Sequence, residues 1–98
     1  MKRLSGFNYE IVRNCGVISQ VGIVTKELNV IRYNSMPARY DLRAWETDPE
    51  DGTRKMRKGL TFTGEELIFL RDLLNGMDLD TQLEEAEDTK SNFDFKPF

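Results

Sequence analysis

The chain has 98 residues, 39% of them hydrophobic and 32% charged, with a formal net charge of −3. That length supports one domain with a moderate core, and no apolar run approaches the ~20 residues of a membrane span. There is no histidine and one cysteine, Cys15, so zinc sites, nucleophile–base pairs and an internal disulfide have almost nothing to be built from. Binding rather than catalysis is therefore expected, with no cofactor and no metal. MKRLSGFNYE at the start lacks the apolar stretch of a signal peptide, and a lone cysteine suits a reducing compartment. The expected location is the cytoplasm.

Taken in order, YEIVRNCGVISQ (residues 9–20) is rich in β-branched and aromatic residues and predicts a first strand, kinked at Gly16. Gly22 marks a turn. IVTKELNVIRY (23–33) predicts a second strand, and NSMPA is a connection containing Pro37. ARYDLRAWE (38–46) is the clearest strand. Its alternation sets Tyr40, Leu42 and Ala44 on one face and Arg39, Asp41, Arg43 and Trp45 on the other. TDPEDGTRK holds two turn signals, Asp48-Pro49 and Asp51-Gly52. DPEDG lacks the ligand spacing of a calcium loop, so a hairpin turn is expected. MRKGLTF (56–62) predicts a fourth strand.

Thr63-Gly-Glu-Glu66 matches a capping box and starts a helix. Leu67, Leu70, Leu74 and Met77 fall at helical spacing, and Gly76 suits its C-terminal end. Ile68, Phe69 and Leu73 widen the apolar stripe beyond what one sheet surface needs. Leu67, Phe69, Leu70, Leu73 and Leu74 are therefore expected at an interface with a second copy. Residues 78–98 are acidic and predict a largely disordered tail, with a short helix around Thr81–Asp88 as the alternative. The expected class is α+β, a four-stranded sheet followed by one helix (β-β-β-β-α) over residues 1–77, then the tail over 78–98.

Charge is segregated along the chain. Residues 1–62 hold eleven bases and seven acids, whereas residues 78–98 hold seven acids and two bases. A basic body with an acidic tail is expected of a protein that binds polyanions. If the helix covers the Tyr40 face, then Arg39, Asp41, Arg43 and Trp45 stand in solvent. Arg54, Lys55, Arg57 and Lys58 join them from the fourth strand and its loop, and Lys26, Arg32 and Tyr33 from the second. Bases of single strands stack on aromatic rings, and cations hold the phosphates. The ordinary alternatives are a core tryptophan at a sheet edge and a basic strand laddered with Glu46, Glu50 and Asp51.

YDLRAW…DPEDGTRKMRKGLTFTGEEL, residues 40–67, resembles the single-stranded-DNA-binding domain of the transcriptional coactivator family called positive cofactor four. KELN…Y (26–33) with YDLRAW is similar to its bacterial YdbC-like branch. The resemblance covers residues 9–77. It implies a curved antiparallel sheet followed by a helix, dimerisation through the helices, and single-stranded DNA across the sheets. It places Arg43 on the family's D-[IL]-R arginine, Arg57 and Lys58 on its R-K-G pair, Arg54 on a basic loop position, and Tyr33 near a stacking aromatic. Trp45 lies one residue before the stacking tryptophan of the eukaryotic members, so the bacterial pattern fits it better.

The ending DFKPF is similar to the tails of bacterial single-stranded-DNA-binding proteins, whose last Pro-Phe docks into partner enzymes. Asp94, Phe95, Pro97 and Phe98 are therefore expected to bind replication or recombination proteins. Together these readings point to a sequence-tolerant single-stranded-DNA-binding protein of replication, recombination or repair. A transcription coregulator at melted promoters is the alternative. A pure protein-interaction module would bind no oligonucleotide.

Overall fold

Tyr9–Val21 (β1), Val24–Tyr33 (β2), Arg39–Thr47 (β3) and Arg54–Phe62 (β4) are strands in the computed structural model, which describes residues 8–90. Helices Gly64–Asn75 (α1) and Leu79–Lys90 (α2) follow. The strands form one antiparallel sheet in the order β1-β2-β3-β4.

Each connection follows from its residues. Gly22 takes φ 61° while Ile23 does not turn positive, the pattern of a type II′ hairpin turn. Between β2 and β3, Asn34 takes φ 52°, a left-handed conformation that asparagine tolerates. Its N–H donates to the Asn8 carbonyl at 2.8 Å, and its side-chain oxygen accepts from Asn8 N–H at 2.9 Å. DPEDG is a hairpin turn: Gly52, at φ 77°, donates its N–H to the Asp48 carbonyl at 2.8 Å, and Asp51 Oδ1 accepts from Thr53 N–H at 2.9 Å.

The sheet curls strongly. Tyr9 pairs with Tyr33, and Trp45 pairs with Thr25, positions eight residues apart on β2. A flat ladder would separate those pairs by about 26 Å. Instead the Tyr9 and Trp45 rings lie 5.8 Å apart, centroid to centroid. The cause is visible in β1, whose register slips between Ile11 and Arg13, Asn14 and Gly16, and Val17 and Ser19. Each such bulge bends and twists its strand. The kink expected at Gly16 is the middle one.

The capping box forms as expected. Thr63 N–H donates to Glu66 Oε1 at 2.9 Å, and Glu66 N–H to Thr63 Oγ1 at 3.1 Å. Helix α1 ends before Gly76 as the sequence indicates, but Gly76 is not among the positive-φ glycines. Its N–H still bonds the Asp72 and Leu73 carbonyls, at 3.2 and 3.1 Å. No α1 residue is buried, and Phe69 and Leu73 are each 66% exposed.

The single expected helix is followed by a second. Residues 79–90 are helical, a longer span than the short helix around Thr81–Asp88 that was the alternative to a disordered tail. Asp78 starts α2, accepting from Thr81 N–H at 3.3 Å and from Thr81 Oγ1 at 2.9 Å, which satisfies a backbone donor that acidic composition alone does not reveal. The chain divides into two units, residues 1–67 and 68–98. Among the described residues no helix is long and apolar enough to cross a membrane.

Candidate nucleic-acid interface

Cross-strand pairs share a face, so register assigns every side chain of β2 and β3. One face carries Thr25, Glu27, Asn29, Ile31 and Tyr33 with Arg39, Asp41, Arg43 and Trp45. The curl closes over this inner face. The buried residues Ile31, Trp45, Glu27, Asn29 and Asp41 all belong to it. Parity therefore puts Arg43 and Trp45 together as expected, but the expectation that they stand in solvent is corrected. Trp45 and Asp41 are each 0% exposed.

The inner face is held by two ionic clusters. Asp41 accepts from Arg43 Nε at 2.6 Å, Arg43 Nη2 at 2.7 Å and the Tyr33 hydroxyl at 2.7 Å. Burial, then the Asp41 hydrogen bond and charge, push the Tyr33 phenol up to about 12. Glu27 accepts from Thr25 Oγ1 at 2.7 Å, Asn29 Nδ2 at 3.3 Å and Arg54 Nη2 at 2.8 Å. Burial alone raises the Glu27 carboxyl, but the bonds from Thr25, Arg54 and Asn29 outweigh it and hold the group below its ordinary value. Asn14 Nδ2 extends the cluster to Asn29 Oδ1 at 2.7 Å. The Arg54 guanidinium lies 4.6 Å over the Trp45 ring, which explains why the indole is covered. Trp45 Nε1 is buried without an acceptor, a cost of about 1–3 kcal/mol. Both Arg43 and Arg54 are thus neutralised by carboxylates, and neither offers a free charge to a phosphate.

The opposite, outer face has two halves. Toward the β2–β3 connection it is apolar, with Leu28, Val30, Tyr40 and Leu42 on β2 and β3 and their β4 partners Leu60 and Phe62. Leu60 is 63% exposed. Toward the β3–β4 hairpin it is cationic. Lys26 pairs with Ala44, and Lys55 with Glu46. Register between β3 and β4 slips from Arg43–Gly59 to Trp45–Met56, so Arg57 and Lys58 bulge opposite Ala44. Val24, Ala44, Met56, Arg57 and Lys58 line an open depression of about 660 Å3 there.

Gly59, beside the bulge, lets Arg43 approach β4 closely. A Cβ on it would overlap that of Arg43 and sit 2.6 Å from the Leu42 carbonyl oxygen. Without that carbon, Arg43 crosses β4 and donates from Nη1 to the Arg57 carbonyl at 2.9 Å. Arg57 Nη1 in turn donates to Glu46 Oε1. Lys26, Lys55 and Lys58 are exposed and have no carboxylate partner among the described residues.

The ten residues expected on one platform are therefore divided. Arg39, Tyr33, Arg43, Trp45 and Arg54 belong to the inner face. Lys26, Arg32 and Lys55 belong to the outer one, Arg57 joins Glu46 there, and Lys58 lines the depression beside it. Arg32 is paired with Glu10 at 2.9 Å. The structure brings together Lys26, Lys55, Arg57 and Lys58. The sequence reading missed Glu27 as the partner of Arg54, although Glu27, Asn29 and Ile31 recur at the strand period. It also missed Val24 and Met56 beside the cations, because a bulge leaves no mark in residue type. Asp94, Phe95, Pro97 and Phe98 lie outside the described residues.

No family model matches the chain. An uncharacterized protein of Treponema pallidum (strain Nichols) is 47% identical to it over 75 residues, which is 76% of this chain and 84% of that protein.

Proposed function

The chain belongs to the family of that Treponema pallidum protein, and we propose that it binds single-stranded DNA through the cationic half of its outer face. The observation that supports this reading is the group of three lysines, Lys26, Lys55 and Lys58, around Arg57 at the β4 bulge; among the described residues none of the three has a carboxylate partner, and Glu46 is the acid beside them. Cations without partners are the ones that release counterions when they meet phosphates. The surface between them is shallow and apolar, which suits unpaired bases. Trp45 serves as the covered centre of the inner face rather than as a stacking platform. The resemblance of residues 40–67 to the coactivator family implies the same ligand.

The apolar half of the same face, together with the exposed α1 residues Phe69 and Leu73, supports a homodimer; a single chain leaves that much apolar surface to water only at a cost. The proposed role is in replication, recombination or repair, with Asp94, Phe95, Pro97 and Phe98 recruiting partner proteins by their sequence likeness to known tails.

Fluorescence anisotropy with labelled oligo-dT and a duplex of equal length tests the ligand. Oligo-dT is expected to bind tightly and salt-dependently, and duplex weakly; equal binding of both overturns the reading. Replacing Lys26, Lys55 or Lys58 by alanine is expected to lower the slope of log affinity against log salt by about 0.7 each, the value of one single-strand phosphate contact. Deleting residues 91–98 should leave oligo-dT affinity unchanged and abolish pull-down of recombination enzymes; undiminished pull-down would remove the tail from the proposal.

A further inference from the structure

Five residues line the depression beside the β4 bulge, and three of them, Val24, Ala44 and Met56, are apolar. None is aromatic, and the only tryptophan lies covered on the inner face. Yet one planar group is present and held at both ends. The Arg57 carbonyl accepts from Arg43 Nη1 at 2.9 Å, which ties the bulged backbone to β3. The Arg57 guanidinium is fixed by Glu46 on the neighbouring strand, and its side chain remains 50% exposed. A carboxylate bonds a guanidinium along its edge, so the flat face stays available. Unpaired bases stack on guanidinium planes as well as on rings.

We propose that this depression is a base-binding subsite, in which one unstacked nucleobase lies against the Arg57 guanidinium over the Val24–Ala44 floor. The inference rests on the single-strand reading above and assigns its base contact. Lys58, at the rim, and Lys26, which pairs with floor residue Ala44, take the phosphates on either side. Glu46 is a positioning residue: it sets the plane of the guanidinium and touches no nucleotide. Only Arg57 and Lys58 offer side-chain hydrogen-bond donors among the lining residues, so contact by stacking and apolar packing accepts any base.

The probes are oligo-dT and an abasic deoxyribose-phosphate strand of the same length and charge, read by anisotropy at two salt concentrations. The wild-type protein is expected to prefer oligo-dT by about tenfold, the effect of one stacked base. Arg57→Lys keeps the charge and loses the plane. It is expected to bind the abasic strand with unchanged affinity and salt slope, while the preference for oligo-dT collapses. Glu46→Gln should lower the same preference with no loss of abasic-strand binding. Both positions are part-exposed, and a far-UV circular dichroism melt confirms folding. If Arg57→Lys keeps the wild-type preference, or wild type shows none, the subsite is overturned and phosphate-led binding stands. If oligo-dT binds no better than duplex, the single-strand reading fails and the subsite with it.

Discussion

Replacing Asp41 with alanine is expected to destabilise the protein by about 3–5 kcal/mol, the usual effect of removing one member of a buried ion pair. Asp41 is 0% exposed, and the Arg43 side chain that depends on it is 14% exposed. Two of the three Arg43 side-chain hydrogen bonds and the Tyr33 hydroxyl bond end on this carboxylate. Without it a guanidinium and a phenol lie half-hidden with no anion to meet them. Urea unfolding at neutral pH measures the effect as a lower midpoint at constant m. The double variant Asp41→Ala/Arg43→Ala should recover part of the loss, because no unpaired charge remains. A midpoint within error of wild type would show that the cluster contributes nothing.

The same cluster fixes an alkaline limit. In the unfolded chain Tyr33 releases its proton near 10.0, whereas in the folded chain it keeps the proton to about 12. Between those values the unfolded state binds fewer protons, so stability falls as pH rises. The contribution is complete below pH 10.0 and is lost as pH climbs to about 12. Tyr33→Phe should flatten this part of the stability profile; an unchanged slope there would refute it.

Gly59→Ala is the second large effect. One methyl group is added where Arg43 already sits, with the Leu42 carbonyl oxygen and Arg43 Cα at 2.6 and 2.7 Å from the new carbon. These are main-chain or Cβ atoms of a central strand, and no rotamer change relieves the overlap. Overpacking of this kind typically costs about 1–3 kcal/mol. Because β4 must shift, Arg57 and Lys58 move with it. The variant is expected to show both a lowered thermal midpoint and weakened oligo-dT binding. Wild-type stability with wild-type binding would show that β4 has room to yield.

Much of the topology was legible because local chemistry states it. Gly22, DPEDG and the Thr63–Glu66 box each satisfy their own backbone groups within a few residues, so their structures are written where they occur. The extent of α2 was not, since an acidic composition suggests solvation and the helix depends on the Asp78 cap. Half of the candidate site was legible as well: Lys26, Lys55, Arg57 and Lys58 were singled out by charge. Grouping them apart from Arg43 and Arg54 required knowing which cations already had acids, and Glu27 and Asp41 reach those partners only across strands.

By itself the sequence determined parity. Side chains alternate along a strand, so Arg43 and Trp45 had to share a face whatever the fold. Which of the two faces meets water was decided by the tertiary structure. Three register slips in β1 curl the sheet until Tyr9 and Arg54 cover Trp45. The slip in β4, next to Gly59, turns Arg57 and Lys58 toward the depression beside Ala44. Curvature and register are properties of strands in contact, and the period of a single strand does not contain them.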